Sequence, residues 1–113
     1  MKLLRVIVRP EREEQVLASL EAVGIVSLTK SDVLGRGQQR GIQVGATVYD
    51  EIPKLQLLLV VEDAKAETAI AAIEAAARTG KPGDGKIFIS PVEAAYTIRT
   101  GQKSEETPIP AAA

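Results

Sequence analysis

Leu55-Gln-Leu-Leu-Leu-Val-Val61, followed after Glu62 and Asp63 by the alanine-rich run Ala64 to Ala77, is the stretch that decides the fold. The first part is apolar at nearly every position and reads as a strand buried on both faces. The second is a helix whose apolar stripe includes Ile70 and Ile73. The same order occurs fifty-three positions earlier. Leu4, Val6, Ile7 and Val8 align with Leu57, Leu59, Val60 and Val61, and Glu14, Leu17, Leu20, Glu21 and Ala22 align with Glu67, Ile70, Ile73, Glu74 and Ala75. In this earlier copy Leu3 to Val8 is the strand. Pro10 opens the helix at its first turn, where a missing N–H costs nothing. Glu11, Glu13 and Glu14 favour the positive end of the helix dipole. Val16, Leu17, Leu20 and Val23 follow at helical spacing, and Gly24 stops the helix.

Ile25 to Leu34 reads as a second strand, Lys86 to Ser90 as a fourth and Ala95 to Arg99 as a short fifth. Two β-α-β units with right-handed crossovers predict an α+β, ferredoxin-like double βαβ fold: an antiparallel four-stranded sheet with two helices. Two helices cover only one face of such a sheet, whereas Leu55 to Val61 calls for cover on both. In a chain of 113 residues, further copies of the chain are the nearest source of that cover, and self-association is expected.

The bulk composition narrows the function. One domain is expected at this length, and 45% hydrophobic residues can form one core. The net charge of −1 leaves no sequence-wide basic footprint for nucleic acid. Cysteine and histidine are both absent, which removes disulfides, thiolate nucleophiles, Cys/His metal sites and imidazole-based triads. Aromatics at 3% do not make base-stacking platforms. No signal peptide or membrane-spanning stretch stands out, so a cytoplasmic protein without membrane insertion is expected. The carboxylate pairs Glu13/Glu14, Glu62/Asp63 and Glu105/Glu106 sit at helix starts or in the tail and read as dipole partners and solubility charges. No catalytic residue is assigned, and an enzyme, such as a slow ATPase, is disfavoured.

Two glycine-rich basic runs remain. Arg78-Thr-Gly-Lys-Pro-Gly-Asp-Gly-Lys86 joins a helix to a strand; it is either an anion-binding loop or an ordinary connection with a helix cap at Gly80. Its spacing is not that of a Walker A loop. Gly35-Arg-Gly-Gln-Gln-Arg-Gly41 is either a second cradle for phosphate or carboxylate or a solvated turn. It opens a long connection reaching Lys54, a length that is usually functional or mobile. Arg99 closes the last strand with a guanidinium that can fork onto a phosphate. The division expected is a domain over residues 1–101, a long loop at about 36–54 and a flexible tail over 102–113.

Gly35-x-Gly37-x-Gln39-x-Gly41, Pro53-Lys54, Thr79-Gly-Lys-x-Gly-Asp-Gly-Lys-Ile-Phe-Ile89 and Ile98-Arg-Thr-Gly101, in that order, resemble the PII nitrogen-regulatory signal proteins. The resemblance implies a homotrimer, alone or mixed with a sister subunit, that binds ATP or ADP in clefts between subunits and 2-oxoglutarate beside Mg-ATP. A long T-loop then docks onto a target protein or leaves it. Thr29, Gly35, Gly37 and Val60 would line the nucleotide cleft, and Gly83, Asp84, Gly85 and Lys86 would hold phosphates or nucleoside. Arg99 would reach phosphates from the neighbouring subunit. Gln39 would complete the Mg²⁺ shell, and Gln39 and Lys54 would bind 2-oxoglutarate.

Three departures bear on the target. The loop before Pro53 is shorter than in the common form. Tyr49 lies nearer Pro53 than the tyrosine usually modified there. Thr97 stands where a second basic residue is frequent. The short loop is similar to the branch associated with nitrogenase regulation, which implies nitrogenase as the target. An ammonium transporter, glutamine synthetase or a transcription factor is the alternative.

Overall fold

The computed structural model describes residues 1–36, 42–44, 47–49 and 51–105. The first strand, β1, spans Lys2–Val8. A single 3₁₀ turn over Pro10–Arg12 leads into helix α1, Glu13–Ala22. Pro10 thus occupies the turn before the α-helix, and Glu13 and Glu14 form its first turn. Gly24, at φ +84°, terminates α1. Its N–H donates to Glu21 O, and the N–H of Ile25 donates back to Leu20 O at 2.9 Å. This double closure of the last turn explains why the second strand begins later than expected. β2 spans Thr29–Gly35, because Ile25 is still engaged with the helix and, with Leu28, packs against the core.

β3 (Ile42–Val44) pairs with β4 (Thr47–Tyr49) as a separate antiparallel ribbon. β5 runs from Ile52 to Val61, so it starts three residues before the apolar run. α2 covers Asp63–Ala77 and β6 covers Gly85–Pro91. The expected fifth strand is shorter and differently placed. β7 is Ala94–Tyr96, paired with β8, Lys103–Glu105. The turn between them holds Arg99, with Gly101 N–H bonded to Thr97 O at 2.7 Å. Arg99 is therefore in a hairpin turn and not at a strand end. Residues 103–105, within the expected tail, form β8.

The main sheet has the order β2-β5-β1-β6, with every neighbouring pair antiparallel. β5 lies between β1 and β2, and β1 lies between β5 and β6: the split βαβ arrangement, twice. Both helices cover one face. Leu4, Val6, Val8, Leu55, Leu57, Leu59 and Val61 from the sheet are buried with Val16 and Leu20 of α1 and Ala66, Ala69, Ile73 and Ala77 of α2. The alternate residues of β5 behave differently. Gln56 and Leu58 are half-buried and Val60 is 47% exposed. Within one chain the strand is enclosed on one face only, and Val60 and Phe88 mark the uncovered face.

Candidate functional site

The register of β1 with β6 sets one corner of the sheet. Val8 stands opposite Gly85, and Ile7 opposite Lys86. Gly85 has φ +111°, and a Cβ there would lie 1.7 Å from the carbonyl oxygen of Ile7. Only glycine lets the loop come down onto β1 at this point. At the same end of the sheet Gly35 lies opposite Ile52, and Val33 opposite Lys54. A Cβ on Gly35 would come within 3.1 Å of Lys54 Cγ, so the bare glycine leaves room for the lysine stem.

These two corners enclose a cleft of about 600 Å³ lined by Ile7, Gly35, Arg36, Ile52, Lys54, Pro82, Gly83, Gly85, Lys86 and Phe88. The size falls in the range of small-molecule sites. Ile7, Ile52 and Phe88 supply apolar surface, and Arg36, Lys54 and Lys86 supply three cations. An apolar floor with a cationic rim suits a flat hydrophobic group carrying phosphates or carboxylates. A second hollow of about 370 Å³ lies against the end of α2, walled by Ile70, Ile73, Ala77, Ile87 and Ile89. It shares Gly85 and Lys86 but gathers neither Gly35, Lys54 nor Gly83.

The loop from Thr79 to Gly85 is held by side chains. Asp84 Oδ2 accepts the N–H groups of Thr79 at 2.8 Å and Gly80 at 2.9 Å. Its Oδ1 accepts from Thr79 Oγ1 at 2.5 Å and from Arg9 Nε at 3.2 Å. These donors, those of Thr79 foremost, hold the Asp84 carboxyl well below the usual carboxylate range. The end of α2 is thus linked to Asp84 and not to a cap at Gly80, since Arg78 at the helix terminus is already extended. Arg9 Nη2 donates to Pro82 O at 2.8 Å, and Lys54 Nζ donates to Gly83 O at 2.6 Å. Burial pushes the Lys54 ammonium below the ordinary lysine value, and the charge of Arg9 adds to the effect.

The expected site residues therefore fall into separate groups. Gly35, Lys54, Gly83, Gly85 and Lys86 line one cleft. Asp84 adjoins it with its carboxylate turned to the loop itself. Thr29 and Val60 lie at the opposite ends of β2 and β5 from Gly35 and Lys54, about 20 Å away at roughly 3.3 Å per residue. Arg99 is exposed in the β7–β8 turn. Gly37 and Gln39 lie outside the described residues. Arg9, Thr79, Ile7, Arg36 and Phe88 were not among the expected site residues. No sequence signal marks Arg9, whose approach to the loop depends on the register of β1 with β6. Among the described residues there is no group of three or more His, Cys, Asp or Glu able to hold a metal ion. No helix among them is long and apolar enough to cross a membrane.

The family described as "Nitrogen regulatory protein P-II" matches residues 1–102. The chain belongs to the P-II family. It is 53% identical over 103 residues to "Nitrogen fixation nifHD region GlnB-like protein 1" of Methanothermobacter marburgensis, covering 91% of this chain and 98% of that protein. It is also 53% identical over 102 residues to the "nifHD1 region GlnB-like protein 1" of Methanosarcina barkeri, covering 90% and 97%. A "Nitrogen regulatory protein P-II" of Cereibacter sphaeroides is 42% identical over 110 residues, covering 94% and 98%. The P-II family is a regulatory one, and the nifHD names agree with the branch that the short loop resembles.

Proposed function

We propose that the protein is a non-enzymatic nitrogen signal protein that binds ATP or ADP and 2-oxoglutarate and controls nitrogenase through the loop at about 36–54. The observation that carries this reading is the cleft uniting Gly35, Lys54, Gly83, Gly85 and Lys86 under three cationic side chains. Phosphates fit beside Lys86 and the glycine backbone. An apolar nucleobase fits against Ile7 and Phe88. Because the described residues carry no acidic cluster, a Mg²⁺ ion would rely on the nucleotide phosphates and Gln39. Lys54 then supplies the point charge for one carboxylate of 2-oxoglutarate.

Thr29 and Val60 belong to the same reading only if a second copy brings them to the cleft, because one chain keeps them about 20 Å from Gly35 and Lys54. An interface joining the two unlike ends of adjacent copies is heterologous, and in this reading its rotation closes into a ring of three copies. Such a ring also accounts for the uncovered Val60 and Phe88. Arg99, exposed in the β7–β8 turn, would reach a neighbour's phosphates in this reading. The nifHD names of the relatives favour nitrogenase as the target over a transporter or a transcription factor. The location proposed is the cytoplasm.

The test combines light scattering, calorimetric titration of ATP and ADP, and capture of nitrogenase with and without 2-oxoglutarate. A trimer, one nucleotide per subunit and release of nitrogenase by 2-oxoglutarate with Mg-ATP are expected. A stable monomer at micromolar concentration, or capture indifferent to 2-oxoglutarate, counts against the reading.

A further inference from the structure

We propose that Arg9 and Asp84, which do not line the cleft, are positioning residues that hold the 79–85 loop in its binding shape, so that Asp84 favours nucleotide binding in spite of its negative charge. The inference rests on the nucleotide reading above. Four donors converge on the Asp84 carboxylate: Thr79 N, Thr79 Oγ1, Gly80 N and Arg9 Nε. An ionised carboxylate offers about four acceptor sites, so Asp84 has none to spare for a ligand or a metal.

The same guanidinium ties the middle of the loop through Pro82 O at 2.8 Å, and Lys54 holds the next carbonyl, Gly83 O, at 2.6 Å. Among the described residues no peptide bond is cis. In a trans peptide the N–H lies opposite the C=O. Fixing these two carbonyls therefore also fixes the directions of the Gly83 and Asp84 N–H groups before any ligand arrives. The loop needs such a brace, because Gly80, Gly83 and Gly85 all have positive φ and would otherwise sample many shapes. A donor array ordered in advance spares the ligand the entropy of ordering it.

The brace and a simple charge argument predict opposite signs. If Asp84 acted only by its charge, Asp84→Asn would remove repulsion of phosphate and tighten binding. In the brace, an Asn amide turns an NH₂ toward donors that need an acceptor, and binding weakens. If Arg9 acted only by its charge, Arg9→Lys would keep it; a lysine cannot span Asp84 and Pro82 with one planar fork.

ATP and ADP titrations of the full chain, with amide hydrogen exchange of residues 79–85 in the absence of nucleotide, test this directly. Asp84→Asn and Arg9→Lys should each weaken both nucleotides by about tenfold, as supporting groups around a binding shell commonly do. Both should speed exchange at Thr79 and Gly80. Thr79→Val should move in the same direction by less, and Thr79→Ser should retain the affinity of the unaltered protein. Tighter or equal nucleotide binding by Asp84→Asn, or unchanged exchange, overturns the proposal. Faster exchange in both variants, with no nucleotide binding by the unaltered protein, supports the brace and overturns the nucleotide reading.

Discussion

Replacing Gly85 by alanine tests the close approach of the 79–85 loop to the backbone of β1. The new Cβ would lie 1.7 Å from Ile7 O and 2.7 Å from Ile7 C, with φ at +111°. Relief needs a shift of more than an ångström between two paired backbones, because the obstacle is backbone and cannot rotate away. The backbone conformation itself costs about 1–2 kcal/mol for a residue with a Cβ. Separating β6 from β1 at Val8 opposite Gly85 removes one or two ladder hydrogen bonds, at about 1 kcal/mol each. The sum is about 2–4 kcal/mol, a large share of the roughly 6–17 kcal/mol expected for a chain of this length. Gly80→Ala is the matched control, since Gly80 also has positive φ (+88°) but no atom within 4 Å of its would-be Cβ. Urea unfolding at one fixed protein concentration is the assay. With m near 2 kcal/mol/M, Gly85→Ala should lower the midpoint by about 1–2 M, and Gly80→Ala by about half that or less. Equal midpoints for the two variants would refute the argument from close approach.

Lys86→Ala and Arg99→Ala should each weaken ATP and ADP by about 1.5–3 kcal/mol, the worth of a hydrogen bond to a charged group; unchanged calorimetric affinity in both would remove the phosphate assignment. Lys54→Ala should retain ATP binding and lose the 2-oxoglutarate response, and an intact response would show that the dicarboxylate charge is met elsewhere. Since Lys54 lies below the ordinary lysine value of 10.5 when unliganded, a bound carboxylate should raise it and draw in a proton. Calorimetry in buffers of different ionisation heat should show this uptake growing as pH rises toward that value, and no buffer dependence as that value is approached would count against it. The Asp84 carboxyl is depressed by folding, so its contribution is present above the ordinary aspartate value and is lost only as pH falls through the lower folded one. Protection of the Thr79 and Gly80 amides should therefore survive from neutral pH to about pH 4, and its loss above that pH would contradict the Asp84 clasp.

The parts of the fold that burial dictates could be read from the chain. β1, β5 and α2 supply most of the buried core, so their apolar pattern shows in the sequence and the repeat between the two halves follows from it. The start of β2 could not be placed from pattern alone. Ile25 and Leu28 are apolar because they pack on the core from an irregular segment, and the bond from Ile25 N to Leu20 O is a backbone event that composition does not encode. β8 escaped, and β7 was only partly placed, for the opposite reason: Tyr96 is largely exposed and the pairing puts almost nothing in the core. At the site, glycines and lysines near each other in sequence were legible. Arg9 was not, because its partner Asp84 is 75 positions away and only the register of β1 on β6 brings them together.

The position of β1 between β5 and β6 has a consequence for how the chain comes to be folded. Lys2 pairs with Val61 on one side and Pro91 on the other. Both partners of β1 follow it in the chain, so it has no sheet partner until β5 has been synthesised, and its second side stays open until β6 has left the ribosome. Closing such long loops is slow compared with forming α1, which needs only its own neighbours. While it waits, an apolar strand with two unpaired edges is the segment most prone to join another chain. Arg5, exposed at the middle of β1, puts a charge on that strand during this interval and so works against premature pairing.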